Sequence, residues 1–251
     1  MPKIILLSHT PNPEKAVACA AKLCYSKSGV EDLYDGLTDE KANDFTRMLS
    51  EIGHESPTEH AYFTFGIENV SRAFLAQITR HRIASYSVQS QRYVGKSGFD
   101  YIIPPEIAAI PEALEEYKAA MDEDGKHYQR ISEILKEKHK KALIAEGMDE
   151  KSAEKNAEKQ ANEDARFVLP NACDTKMIVT MNTRSLHNFF EHRLCSRAQW
   201  EIRDAAEKML VLCKKAAPSL FAYAAPPCVF GACGEGKMSC GKMKEMKEKF
   251  R

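Results

Sequence analysis

Residues 111 to 163, "PEALEEYKAAMDEDGKHYQRISEILKEKHKKALIAEGMDEKSAEKNAEKQANE", are rich in Glu, Lys and Ala and thin in large apolar side chains. Such a stretch holds helical propensity but few groups to bury, so it reads as two or three solvated helices. The core therefore has to come from the flanking sequence. Upstream, "KIILLSH" reads as a short buried strand, and "NPEKAVACAAKLCY" as a helix with Pro13 in its first turn. "TDEKANDFTRMLSEIG" spaces Phe45, Met48, Leu49 and Ile52 as a helix does. "AYFTFGIE" alternates and is aromatic, the pattern of a strand. "SRAFLAQITRHR" returns to helical composition and would carry Arg80, His81 and Arg82 on its last turn. After Arg166 apolar content recovers, with two helices expected around "SLHNFFEHRL" and "AQWEIRDAAEKMLVLCKKA".

No repeat and no Gly/Ser/Pro linker divides the chain. The expected class is α+β: one domain over residues 1–222, a mixed or antiparallel sheet packed by long helices, with 111–163 as a charged helical excursion within it. Residues 223–251 form a Cys-, Gly- and Lys-rich tail. Apolar residues make up 43% and charged residues 29% of the 251, ordinary values for a globular protein. Lys+Arg and Asp+Glu both number 36, so no global field recruits DNA, RNA or a membrane. Ile4 to Leu7 is too short an apolar run for a signal-peptide core or a membrane span. The eight cysteines, with no export signal, are expected as free thiols in a cytoplasmic protein.

The division between arginine and lysine is sharper than the total charge. Residues 111–163 hold nine lysines and one arginine, Arg130. Residues 72–92 hold four arginines and no lysine, and 164–204 hold five arginines against Lys176 alone. Lysine suits a solvated helix face, whereas guanidinium suits bidentate recognition of phosphate, carboxylate or a planar ring. The second group has nearby acids (Glu191, Glu201, Asp204) with which to pair. "RHRIASYSVQSQRY", residues 80–93, contains no acid at all. Two arginine-bearing segments converging on an anionic, planar ligand such as a nucleotide are the expectation. "SQRYVGKS" imitates the tail of a phosphate loop, but Ser90 stands where its first glycine is required, and no G-x-G-x-x-G occurs.

Arg-His-Arg, seven residues, then Ser-x-Arg resembles the signature of the flavin-dependent thymidylate synthases. "HESPTEHAYFTF" (His54 to Phe65) is similar to that family's segment upstream, and "ARFVLPNACDTKMIVTMNTRSLHNFFEHRLCSRAQWEIR" (Ala165 to Arg203) to its second block. The resemblance implies reductive methylation of dUMP to dTMP, with methylenetetrahydrofolate as one-carbon donor and FAD reduced by NADPH. It also implies a homotetramer whose active sites are shared between subunits. Carried over by motif, Ser56, Arg80, His81, Arg82, Val88, Asn182, Thr183, Arg184 and Asn188 would hold FAD. Gln77, Ile78, Thr79, Arg80, Val88, Gln89, Ser90, Gln91, Arg92, Arg166 and Arg193 would bind dUMP. Arg193 would stabilise the anion formed when N3 of uracil loses its proton, and His54 would sit beside flavin and folate.

The family implies no covalent protein nucleophile, with Ser90 orienting the substrate near its phosphate. Many members carry an acid where this chain has Val88, which offers only backbone contacts, with Gln89 next door. His54 and His60 match no common metal spacing, and His127, His139, His187 and His192 read as surface or helix-face residues. In the tail, Cys228, Cys233 and Cys240 could ligate zinc or an iron–sulfur cluster given a fourth ligand elsewhere, but no C-x-x-C is present, and no metal is assigned. Two other readings remain: an NADPH oxidase without methyl transfer, and a nucleic-acid-binding module using the arginines with Tyr86, Tyr93 and Tyr101 as stacking platforms.

Overall fold

The computed structural model describes residues 1–92 and 99–251. Tyr93 and the rest of "YVGKS" lie outside the described residues. Strand β1 (Lys3–His9) leads into α1 (Pro13–Leu23), where Pro13 occupies a first-turn position whose N–H would have no helical partner anyway. Helices α2 (Val30–Asp35) and α3 (Asp39–Glu51) follow, the second capped by Thr38 Oγ1, which accepts the Lys41 N–H at 3.3 Å. A 3₁₀ turn over Ser56–His60 leads to β2 (Tyr62–Ser71), α4 (Arg72–Ile78) and β3 (Ser85–Val88). Then come α5 (Pro105–Ala108), α6 (Pro111–Ala145), α7 (Glu150–Ala165), β4 (Asp174–Asn182), α8 (Thr183–Arg193), α9 (Trp200–Ala216) and α10 (Met243–Phe250). The class is α+β, as expected.

Two compact units are interleaved along the chain. The first comprises Met1–Glu68, Gln77–Ser87 and Met177–Arg251; the second comprises Asn69–Ala76 and Val88–Lys176. In the first, the strands form one sheet in the order β1-β2-β4-β3, with β1 antiparallel to β2 and a register shift between Leu6 and Ser8. Phe63, Phe65 and Ile67 of β2 and Val179 and Met181 of β4 are fully buried. They share the core with Leu186, Phe189 and Phe190 of α8, Ile202, Ala205 and Met209 of α9, and Phe221. Phe221 meets Phe63 edge-on at 5.2 Å and Phe190 at 6.0 Å. The other face of the sheet is open: Ile5, Leu7, Tyr62 and Ile178 are 40–51% exposed. Helix α3 departs from its spacing. Leu49 is buried, but Met48 and Ile52 are exposed, because α3 packs on α1 through the narrow stripe of Ala42, Thr46 and Leu49.

In the second unit the charged stretch folds as two helices, α6 and α7, packed as an antiparallel pair. Lys140 pairs with Glu150 and Glu154, and Lys136 with Glu154 and Glu158, so one helix ascends as the other descends. Their seam is not leucine-rich. Ala153, Ala157, Ala161 and Ala165 recur every fourth residue with no exposed surface, and small side chains let the two backbones approach. Asn162 Oδ1 accepts from the hydroxyls of Tyr128 (3.1 Å) and Ser132 (3.2 Å) beside that stripe. Replacing Ala157 by leucine is expected to overpack the seam and lower unfolding stability by about 1–3 kcal/mol, read as a fall in denaturant midpoint.

Candidate functional site

Helix α4 stops at Ile78, so the Arg80–Arg82 triplet follows the helix instead of ending it. The Ile78 carbonyl that would continue the helix is taken: it accepts the His81 N–H at 3.1 Å and lies 2.7 Å from the Tyr86 hydroxyl. The same hydroxyl is 2.8 Å from the His81 carbonyl, and burial pushes it up to about 12. Clamped this way, the loop leaves Arg80 and Arg82 exposed and turns His81 inward against Phe189, whose ring lies 5.1 Å away edge-on.

Arg193, at the C-terminal end of α8, closes on this loop. Its Nε donates to His81 Nε2 at 3.1 Å and its Nη2 to the Gln77 carbonyl at 3.4 Å. Guanidinium never accepts, so His81 Nε2 is the acceptor and the ring hydrogen sits on Nδ1; the Asn188 side chain also hydrogen-bonds the ring. Burial first and then the Arg193 charge lower His81 to about 4, so the imidazole is neutral at physiological pH. Arg193 is itself held below the usual guanidinium range, by burial and then by the neighbouring charge of Arg80. Among the described residues no acid forms an ion pair with Arg80, Arg82 or Arg193. An unneutralised guanidinium pair around a neutral histidine is what the sequence expectation of an anion site required. Gln199 was not singled out, yet its Oε1 caps α9 by accepting from the Glu201 and Ile202 N–H groups and lies 3.5 Å from Gln77 Nε2. Its sequence signals were its place in the second block of the family resemblance and just before a run of helical periodicity.

The opposite end of α8 is built from the "HESP" segment. Asn182 Oδ1 accepts the Ser185 N–H at 2.8 Å as the helix cap, and Thr183 Oγ1 donates to the Ala61 carbonyl at 3.2 Å. Arg184 Nε pairs with Glu55 at 3.1 Å and its Nη1 with Glu59 at 2.6 Å, so this arginine is neutralised on the surface. Ser56 and His54 are exposed beside that pair, the His54 N–H bonded to the Leu49 carbonyl at 2.9 Å. Eleven residues of α8 at about 1.5 Å each separate the two ends by roughly 16 Å. Asn188 lies exposed between them. His187 corrects the surface reading of the histidines: its Nε2 is 2.8 Å from the Leu220 carbonyl, its ring stacks on Phe221 at 5.4 Å, and burial lowers its pKa.

In the second unit the expectation of acid-free arginines fails at Arg92. Its Nη2 pairs with Glu163 Oε2 at 2.7 Å, and Arg166 Nε donates to the Glu163 carbonyl at 3.1 Å. Glu163 lies far along the chain, at the end of the charged stretch, where local sequence could not show it. Gln91 is buried with its Nε2 3.5 Å from Cys173 Sγ, the Gln89 N–H bonds the Lys176 carbonyl at 3.0 Å, and Val88 ends β3. Ser90 Oγ accepts the Arg92 N–H at 3.3 Å, and among the described residues no base is bonded to it. Tyr101 packs between Phe99 and Tyr117 at 6.1 and 5.9 Å. Tyr101 is thus engaged in internal aromatic packing and Tyr86 through its hydroxyl.

Residues 5–219 match the family model described as "Thymidylate synthase complementing protein". Over 246 residues the chain is 55% identical to a flavin-dependent thymidylate synthase of Clostridium tetani, covering 98% of this chain and 96% of that one. It is 45% identical over 251 residues to a protein of the same name from Geobacter sulfurreducens, covering 99% and 98%. A third, from Nitratidesulfovibrio vulgaris, is 43% identical over 248 residues, covering 96% and 95%.

Proposed function

The chain belongs to the flavin-dependent thymidylate synthase family, and from that premise we propose that it methylates dUMP to dTMP with methylenetetrahydrofolate and FAD reduced by NADPH. The observation that carries the reading is the pair of guanidiniums, Arg80 and Arg193, set against each other with no acid paired to either among the described residues. Like charges held together this way favour an anionic ligand. The residues fit a flavin dinucleotide: free cations at one end of α8, amide and hydroxyl groups along it, and an extended reach between.

When bound, the reduced flavin supplies a hydride from N5. Arg80 and Arg82 hold its phosphate groups, with His81 and Asn188 beside them, and Ser56, Asn182, Thr183 and Arg184 border it at the other end of α8. Asn182 and Thr183 act through their positions, since their side chains cap and anchor the helix. Val88 contributes backbone alone. Arg193 is the catalytic cation: with Nε and Nη2 held, Nη1 is left to face uracil, where negative charge develops. His54 stands beside flavin and folate. Gln77, Ile78, Thr79 and Arg80 bind the nucleotide. Val88, Gln89, Ser90, Gln91, Arg92 and Arg166 are likewise assigned to dUMP, Arg92 and Arg166 still leaving one positive charge over Glu163. Four chains assemble with shared active sites, an arrangement in which the open apolar sheet face of Ile5, Leu7, Tyr62 and Ile178 would be covered.

The test is the visible spectrum of the purified protein under anaerobic NADPH, with and without dUMP. A flavin band that NADPH bleaches and dUMP perturbs, followed by dTMP once methylenetetrahydrofolate is added, is expected. Bleaching without dTMP would leave an oxidase, and no flavin binding at all would overturn the reading. Ser90→Ala is expected to keep measurable turnover with a raised KM, because Ser90 orients and does not attack. Abolished turnover with dUMP binding intact would refute that role.

A further inference from the structure

The Cys-rich tail is tied to the turn that follows α8, where a further thiol stands. Cys228, Cys233 and Cys240 come from the tail, and Cys195 lies two residues beyond Arg193. Cys228 is buried, Cys195 and Cys233 are partly buried, and Cys240 is exposed. Three hydrogen bonds tie the segments together. The Ser196 hydroxyl donates to Cys240 Sγ at 3.0 Å, and Arg197 Nη1 donates to Glu235 at 2.6 Å and to the Met238 carbonyl at 2.9 Å. Both anchors, Ser196 and Arg197, stand immediately after Cys195.

The sulfurs also feel one another. After burial, the neighbouring thiols of Cys233, Cys195 and Cys240 raise Cys228 above the usual thiol value. Cys240 is lowered, first by the Ser196 hydroxyl, then by the Lys242 N–H. Backbone N–H groups directed at sulfur and a cationic neighbourhood stabilise thiolates. A divalent cation deprotonates the thiols it binds, so four sulfurs brought to it become a ligand set of charge opposite to its own. The tail by itself offers three sulfurs, one short of the usual tetrahedral set, and Cys195 is the missing fourth.

We propose that Cys195, Cys228, Cys233 and Cys240 bind one zinc ion, stapling the tail to the turn that follows α8. Among the described residues no three donors are already gathered tightly enough to hold an ion. Closing the thiols onto the metal is part of binding, as in sites where metal uptake and local folding are coupled. Four protein ligands leave no open position, so the ion is structural. Its task is to fix the end of α8 that carries Arg193. Part of the surplus negative charge of a zinc tetrathiolate is met by Lys242, whose charge reaches Cys240.

The test is metal analysis of the full-length protein purified under reducing, chelator-free conditions, with flavin quantified separately after denaturation. Stripped protein is then titrated with Co²⁺ as a spectroscopic probe. About one zinc per chain and an intense thiolate-to-cobalt absorption of tetrahedral type are expected. Cys195→Ser and the exposed Cys240→Ser should each lose most of the metal, with Cys240→Ser retaining its flavin and its far-UV spectrum. Absence of zinc together with no cobalt–thiolate band overturns the proposal, as does iron with acid-labile sulfide in place of zinc. Undiminished zinc in both serine variants overturns it equally.

Discussion

Arg193→Lys is expected to lower kcat for dTMP formation by roughly 10²-fold or more while leaving the fold and flavin content nearly unchanged. Three tasks meet on one guanidinium in the proposed mechanism: Nε donates to His81 Nε2 and Nη2 to the Gln77 carbonyl, and Nη1 would face the pyrimidine. An ammonium carries the charge but lacks the planar fork, so it cannot serve all three directions at once. Because the proposed contact strengthens as uracil becomes anionic, its loss belongs to the transition state and should appear in kcat more than in KM. Single-turnover dTMP formation at saturating dUMP, with flavin absorbance recorded on the same sample, checks this. A change below about threefold in kcat would remove Arg193 from the chemistry and leave it as a prop for His81.

Much of this site was readable in advance, and its failures share a physical cause. The alternation of Phe63, Phe65 and Ile67 and the periodicity around Leu186, Phe189 and Phe190 announced the sheet and the helix between which the site is built. The acid-free run from Arg80 to Arg82 announced uncompensated charge, and the three-dimensional structure preserves it. What local sequence could not show were partners brought in by folding. Glu163 neutralises Arg92 from a segment whose composition read only as solvated helix, and Glu55 and Glu59 neutralise Arg184 from a segment more than 120 residues earlier in the chain. Helix α4 looked continuous through Arg82 because nothing in its propensity reveals that Tyr86 will claim the Ile78 carbonyl. The alanine seam of α7 escaped for a related reason. Alanine is a good helix former wherever it stands, so its burial every fourth residue is visible only against α6.

The neutral state of His81 should add its own loss to the acid limb of stability. The ring is lowered to about 4 in the folded protein, by burial and then by Arg193, against an ordinary value of 6.5. Between those values the unfolded chain binds a proton that the folded chain does not, so stability must fall as pH drops from about 6.5 towards 4 and the loss levels off below. At one pKa unit per 1.36 kcal/mol the shift sets a ceiling of about 3 kcal/mol; partial exposure of the ring to solvent reduces this to about 1–2. Protonation would do more than cost energy. An imidazolium cannot accept from Arg193 Nε, and it would place a third cation beside Arg80 and Arg193, so Arg193 must turn away and turnover should fall with it. Glutamine keeps an acceptor for Arg193 and a donor for Asn188 but does not titrate. His81→Gln should therefore show a flatter stability curve between pH 4 and 6.5 than the parent protein, measured by denaturant unfolding at each pH. His187, also lowered by burial, and the carboxylates act in both proteins and cancel in the difference. Parallel curves for the two proteins would mean that His81 carries its proton in the folded state, and the hydrogen bond from Arg193 would have to be reassigned.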